Sequence, residues 1–209
     1  MSKAGGDEED AAPPATELVE APDESDAEAG WTRLRTRTPF ECPWFRVRQD
    51  DIRLPNGREI TYNVVEHGGF AMIVPVLADG RVVMERVYRW TLDDWLLECP
   101  SGGLDGQPAE QAARRELEEE TGYLAGRLDH LGRFAASNGY ANERFDVFLA
   151  RDVRAGGTVA REDTEQMEIE LVPFEALRER ALAGQIADAP SALALLLAAA
   201  HLERQASSA

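Results

Sequence analysis

Lysine is almost missing from this chain: Lys3 stands alone, and every other basic residue is arginine. A lysine-dependent phosphate loop, a kinase lysine or a Schiff base is therefore excluded from the body of the protein. Cysteine and histidine are scarce as well. Cys42, Cys99 and three scattered histidines form no CxxC or HExxH spacing, which argues against zinc. So little cysteine suits a reducing, cytoplasmic home, and Cys99, inside the apolar run "WLLEC", is expected to be a buried small residue. The first residues lack the basic and apolar regions of a signal peptide. The most apolar stretch, "SALALLLAAAHL", is shorter than the roughly 20 residues a bilayer span takes. It is expected as a helix buried in a core or a subunit interface.

Positive charge is also in short supply. The formal net charge is −17, and residues 1–30 carry ten acids against one base. That segment, rich in Ala, Pro, Asp and Glu and free of aromatics, is expected to be a disordered acidic tail. The remainder is mildly acidic, a poor match for nucleic acid phosphates. Hydrophobic residues make up 44% of the 209, enough for one substantial packed domain with a small accessory piece.

Residues 31–67 read as an N-terminal β-strand subdomain: "WFRVRQDDIRL", a "PNG" turn, then "EITYNVVEH". Residues 68–209 form the main domain. There, "FAMIVPVLADGRVVMERVYRW" is two strands around an Asp79-Gly80 turn. A buried strand "DDWLLECP" follows, then a glycine-rich loop "SGGLDGQP". Pro108 at the first helical position and Gly122 past the last turn bracket a helix of about 14 residues. Further strands are expected in "LDHLGRFAAS", "ERFDVFLARDV" and "EQMEIELVP", with closing helices at about 174–183 and 190–204. Strands on either side of a central helix, with helices at the end, indicate α+β architecture, a mixed sheet sandwiched by helices.

The central helix ends in "RRELEEETGY", four glutamates in five positions near the end where acids are least favourable. On a wheel centred on Ala113, with Ala109 and Leu117 in the apolar stripe, Glu120, Glu116 and Glu119 lie about 20°, 60° and 120° to one side. Glu118 points the other way, towards solvent. Three carboxylates along the border of a buried stripe must be protonated, paired with arginine or bound to a cation. Hard divalent ions such as Mg²⁺ take such oxygen ligands. Alone, a glutamate run more often reads as a solvated face paired with Arg114 and Arg115. The glycine loop before the helix changes that balance, because its backbone, at Gly102 in particular, can approach a diphosphate closely.

"GGLDGQPAEQAARRELEEETGY" resembles the Nudix box, whose pattern is G, five residues, E, seven residues, then REUxEExGU with U apolar. Arg115, Glu116, Leu117, Glu119, Glu120, Gly122 and Tyr123 match its second half. "RVVMERVYRW…LLECPSGG", "SNGYANE" and "EDTEQMEIELVP…AGQIADAPSALALL" resemble the ADP-ribose pyrophosphatase-like branch, so the likeness covers roughly residues 40–203. It implies a Nudix fold, an α/β/α sandwich, and Mg²⁺-dependent hydrolysis of a nucleoside diphosphate derivative, with Mn²⁺ as a substitute. ADP-ribose and nucleotide sugars are the expected substrates, and a homodimer exchanging its N-terminal strands is the expected assembly. By the same resemblance Glu116, Glu119, Glu120 and the Ser101 carbonyl hold metal, and Arg115 and Gly122 support the helix. Arg89, Gly102 and Glu143 meet substrate, and Glu165 is preferred over Glu162 and Asp163 as general base. Three positions depart from the pattern: Gln107 replaces the first glutamate in a loop one residue short, Asn138 a proline and Val87 a glutamine. A nucleotide-sugar sensor without hydrolysis and an acidic interaction protein working through its tail are the rival readings.

Overall fold

The computed structural model describes residues 19–20, 25–26, 29–161 and 166–208. Most of the expected acidic tail, and all of residues 162–165, therefore lie outside the described residues. The chain divides between His67 and Gly68 into two compact units.

The first unit is an antiparallel sheet. Strands β3 (Trp31–Glu41), β4 (Phe45–Arg53) and β5 (Glu59–His67) run in order, and two-residue pieces β1 (Val19–Glu20) and β2 (Ser25–Asp26) pair with β3. The eleven-residue β3 falls in the expected β-strand subdomain, but its bounds were not legible, since "TRLRTRTP" offers no apolar alternation. Its arginines find their partners across the ladder instead. Arg35 pairs with Asp51 at 3.1 Å, and Arg33 lies 3.5 Å from Asp50. Asp50 is only 2% exposed, and its charge is met by Thr36 Oγ1, which donates at 2.7 Å, and by Arg48 at 2.9 Å. A buried carboxylate is tolerable only with such partners.

The second unit is built on a mixed eight-stranded sheet: β6 (Phe70–Leu77), β7 (Arg81–Arg89), β8 (Asp94–Glu98), β9 (Ser101–Gly103), β10 (Tyr123–Leu124), β11 (Arg127–Ala135), β12 (Arg144–Ala155) and β13 (Met167–Pro173). β6 and β12 are parallel neighbours at the centre, and the remaining pairings are antiparallel. The β6–β7 turn carries Gly80 at φ +81°, with Asp79 Oδ1 accepting the Arg81 N–H. The expected glycine loop is partly strand, because β9 pairs with β6 before the chain turns into helix α1 (Ala109–Thr121).

Alternation along the central strands sends side chains to two separate cores. Ala71, Ile73, Phe148 and Ala150 pack with Ala112 and Ala113 of α1 on one face. Met72, Val74, Val147 and Leu149 pack on the other with α2 (Phe174–Leu182) and α3 (Ala189–Ser208), through Leu177, Leu195 and Ala198. Helices cover both faces, so residues 145–150 are all buried despite an alternating sequence. The layers are an α/β/α sandwich. Cys99 is buried among the second set, and burial pushes its thiol up. No helix among the described residues is long and apolar enough to cross a membrane.

Candidate active site

α1 is placed by its ends. Pro108 is the N-cap rather than the first helical residue, with φ −57° and ψ 138°. Gly122 closes the helix in the left-handed region at φ 73°, and its N–H donates to the Glu118 carbonyl at 2.8 Å. Leu117, Ala112 and Ala113 are fully buried, which fixes the rotation of the helix on the sheet.

That rotation turns Glu116 and Glu120 inward, at 9% and 6% exposure, while the Glu119 side chain stays 40% exposed. Glu116 lies directly against β9: a Cβ built on Gly102 would fall 2.1 Å from its carboxyl carbon. Only glycine admits the carboxylate there. The Ser101 N–H donates to Glu120 Oε2 at 3.1 Å, so two neighbouring residues of β9 each seat one glutamate.

Arg115 ties the cluster to the loop. Its Nη2 lies 2.9 Å from Glu116 Oε1 and donates to the Gly103 carbonyl at 2.8 Å and to Asp105 at 2.9 Å. Nη1 reaches Glu119 at 3.3 Å. Burial lowers the pKa of this guanidinium, but Glu116, Glu119 and Asp105 outweigh it and hold the group firmly cationic. Gln107, on the turn after Asp105, is exposed, with its N–H on the Leu104 carbonyl at 2.7 Å.

The C-terminus of α1 resolves the misplaced acids. Residues 156–161 run along it: the Gly157 N–H donates to the Gly122 carbonyl at 3.0 Å and the Ala160 N–H to the Glu119 carbonyl at 2.8 Å. Arg161 Nε donates to the Glu120 carbonyl at 2.7 Å, a cation at the negative end of the helix dipole. Glu118 does not simply face solvent. It is half-buried, it accepts the Thr158 N–H at 3.2 Å, and its Cγ would lie 2.7 Å from a Cβ on Gly157. Arg161 and this strap were not foreseen. The signal available was a lone arginine six residues before the "MEIEL" strand, which composition does not single out.

The other anticipated residues are distributed around this centre. Arg89, at the end of β7, forms a two-point ion pair with Glu98, donating from Nε at 2.8 Å and from Nη2 at 2.5 Å. That hydrogen bonding raises the arginine pKa against the effect of burial, with further contributions from Asp188 and Glu120. Glu143 is half-buried just before β12, and its carbonyl accepts the Ala136 N–H at 3.1 Å, closing the 136–143 loop. Glu162, Asp163 and Glu165 lie outside the described residues. No group of three His, Cys, Asp or Glu among the described residues converges on one point. The donor chemistry nevertheless suits a hard divalent cation: carboxylates of Glu116, Glu119 and Glu120, with Glu116 drawn from water beside the Gly102 backbone and Glu120 onto the Ser101 N–H.

Residues 67–193 match the NUDIX domain, and residues 31–65 match the nucleoside diphosphate sugar hydrolase N-terminal domain. The chain belongs to the Nudix hydrolase family. Among its relatives, the ADP-ribose pyrophosphatase of Mycobacterium tuberculosis is 33% identical over 163 residues, 77% of this chain and 79% of that protein. The ADP-ribose pyrophosphatase of Bacillus subtilis is 38% identical over 105 residues, 50% of this chain and 57% of the relative's length. The methanol dehydrogenase activator of Bacillus methanolicus is 32% identical over 69% of this chain and 80% of its own. A solved ADP compounds hydrolase superposes with a TM-score of 0.74 over 84% of this chain and 95% of that one, at 24% identity. The Nudix assignment agrees with the box read from residues 102–123 and with the sandwich around α1.

Proposed function

We propose that this Nudix hydrolase cleaves the diphosphate linkage of a nucleoside diphosphate derivative, ADP-ribose or a nucleotide sugar, by in-line attack of water with Mg²⁺ as cofactor. One observation carries the reading: two inward-facing carboxylates, Glu116 and Glu120, are each seated on the β9 backbone, with Glu119 more open beside them. The matches to two ADP-ribose pyrophosphatases support the substrate class.

Glu116, Glu119, Glu120 and the Ser101 carbonyl hold the metal in this reading. Bound there, such an ion would neutralise the diphosphate and lower the pKa of water. The protein supplies the rest. Gly102 admits the Glu116 carboxylate against β9 and meets the diphosphate through its backbone, and Arg115 orients Glu116 and Glu119 through its four-point contact. Arg89 binds a phosphate or terminal group, as planar guanidinium suits two-point recognition of oxyanions. Glu143 contacts substrate from the 136–143 loop. Glu165 takes the proton of the attacking water. The protein works in the cytoplasm as a homodimer, with residues 31–67 contributing to the interface; exposed Phe40 and Trp44 offer it apolar area.

A panel of ADP-ribose, sugar nucleotides, dinucleotides and nucleoside triphosphates with Mg²⁺ tests this. Cleavage of one diphosphate-linked class, abolished by chelation, is expected. Binding without cleavage under Mg²⁺ and Mn²⁺ would favour a nucleotide-sugar sensor instead.

A further inference from the structure

We infer that Glu98 is a positioning residue of this site: it fixes Arg89 by one edge so that the opposite edge of the guanidinium is presented to a substrate phosphate. The inference rests on the function proposed above and concerns the phosphate contact within it.

The register of β7 and β8 sets the geometry. Arg89 stands opposite Asp94, Val87 opposite Leu96, and Glu85 opposite Glu98. The acid nearest to Arg89 by register is therefore Asp94, whose Oδ1 instead accepts the Trp95 N–H at 2.7 Å. Arg89 reaches back past the Val87–Leu96 pair to Glu98, which is only 4% exposed. A buried carboxylate without a partner is costly, so the pair is held from both sides.

The contact is selective about hydrogens. Glu98 takes Nε and one hydrogen of Nη2, the side edge of the guanidinium. Three of the five N–H groups remain, on Nη1 and the outer side of Nη2, and no group among the described residues is recorded on that end edge. Such an edge matches two oxygens of a phosphate.

Glu98 is also anchored where the metal-binding glutamates are anchored. The segment from Glu98 to Ser101 begins at the arginine pair and ends at the N–H that holds Glu120. Between them, the Cys99 N–H donates to Ser191 Oγ at 2.9 Å, and the Pro100 carbonyl accepts the Ile73 N–H at 3.0 Å. Ser191 is itself fixed, its N–H donating to Asp188 Oδ2 at 2.8 Å. Arg89 and Glu120 thus keep a set relation through four residues of braced backbone. Asp188 and Glu120 both attract Arg89 electrostatically. Removing Glu98 would release the guanidinium towards them, away from substrate and onto a metal ligand.

The test is a double-mutant cycle on the full-length protein, read by calorimetric binding of ADP in Mg²⁺. Wild type, Arg89→Ala, Glu98→Gln and the double variant are compared, with melting temperatures alongside. Each single variant is expected to weaken ADP binding by about tenfold or more, and the double variant to be no weaker than Arg89→Ala within about twofold. Where wild type hydrolyses a substrate, Glu98→Gln should raise KM more than it lowers kcat. Glu98→Asp keeps the charge and should recover part of the loss; it also serves if the glutamine variant does not fold. Wild-type ADP affinity in Glu98→Gln, or a full additional loss on the Arg89→Ala background, would overturn the inference. So would a wild type that does not bind ADP. A protein that cleaves nothing yet follows this cycle refutes the hydrolase reading alone, while cleavage with an unaffected Glu98→Gln refutes this inference alone.

Discussion

An alanine at position 102 would set its Cβ 2.1 Å from the Glu116 carboxyl carbon and 2.3 Å from one of its oxygens. The obstacle is the far end of a side chain, which can swing, so the backbone need not break. Gly102→Ala is therefore expected to melt close to wild type but to lose about 100-fold in kcat/KM, since misplacement by an ångström can cost that much. Gly69→Ala makes the contrast: its Cβ would lie 2.5 Å from the Arg144 carbonyl oxygen at φ +83°, so it should lower the melting temperature clearly. Leu117 is fully buried at the centre of α1, and Leu117→Ala should cost about 2–5 kcal/mol in denaturant unfolding. Asp129 supplies the pH dependence. Burial raises its pKa, but hydrogen bonds from Arg151 and Arg127 prevail and leave it below the usual aspartate value. A depressed carboxylate contributes stability above its unfolded pKa, about 3.9, and loses that contribution as pH falls through the folded value. Asp129→Asn should thus be less stable than wild type at pH 7, and the difference should close below about pH 3.9 in acid unfolding followed by circular dichroism.

At the scale of elements, α1 was legible because three signals agreed: the apolar stripe through Leu117, the proline before it and Gly122 after it. The wheel also separated Glu116 and Glu120 from Glu118 correctly in direction. It erred on Glu118's surroundings, because the strap at 156–161 comes from forty residues away and a single helix carries no trace of it. Arg161→Ala removes the cation from the Glu120 carbonyl and should destabilise the protein by about 1–2 kcal/mol in thermal or denaturant melts, more at low salt than at high. β3 was not delimited within the expected strand subdomain for a related reason. Alternating arginine and threonine carry no apolar period, and Asp50 and Asp51 of β4 are visible as their partners only across the ladder. β6 and β7, read from apolar runs around the Asp79-Gly80 turn, and β13, read from its alternation, needed no such partner information.

For the molecule as a whole, the Nudix fold places one helix of acids over a glycine-bearing strand, and the two-unit chain adds a polar sheet ahead of it. Removal of residues 1–30 should leave catalysis intact if the acidic tail only solvates the protein; loss of activity would instead favour the tail as the working part. Sedimentation at micromolar concentration should give twice the chain mass, and Trp44→Ser, at an exposed aromatic of the first unit, should shift it towards monomer. In the proposed function the carboxylates of α1 run the hydrolysis of a diphosphate bond. The reaction of ADP-ribose with Mg²⁺ in ¹⁸O-water, read by mass spectrometry for wild type and for Glu119→Gln with Glu120→Gln, tests that role. Wild type should give nucleoside monophosphate and sugar phosphate, one of them carrying a single ¹⁸O, and the double variant no product. Label-free products, or equal turnover by the double variant, would contradict it.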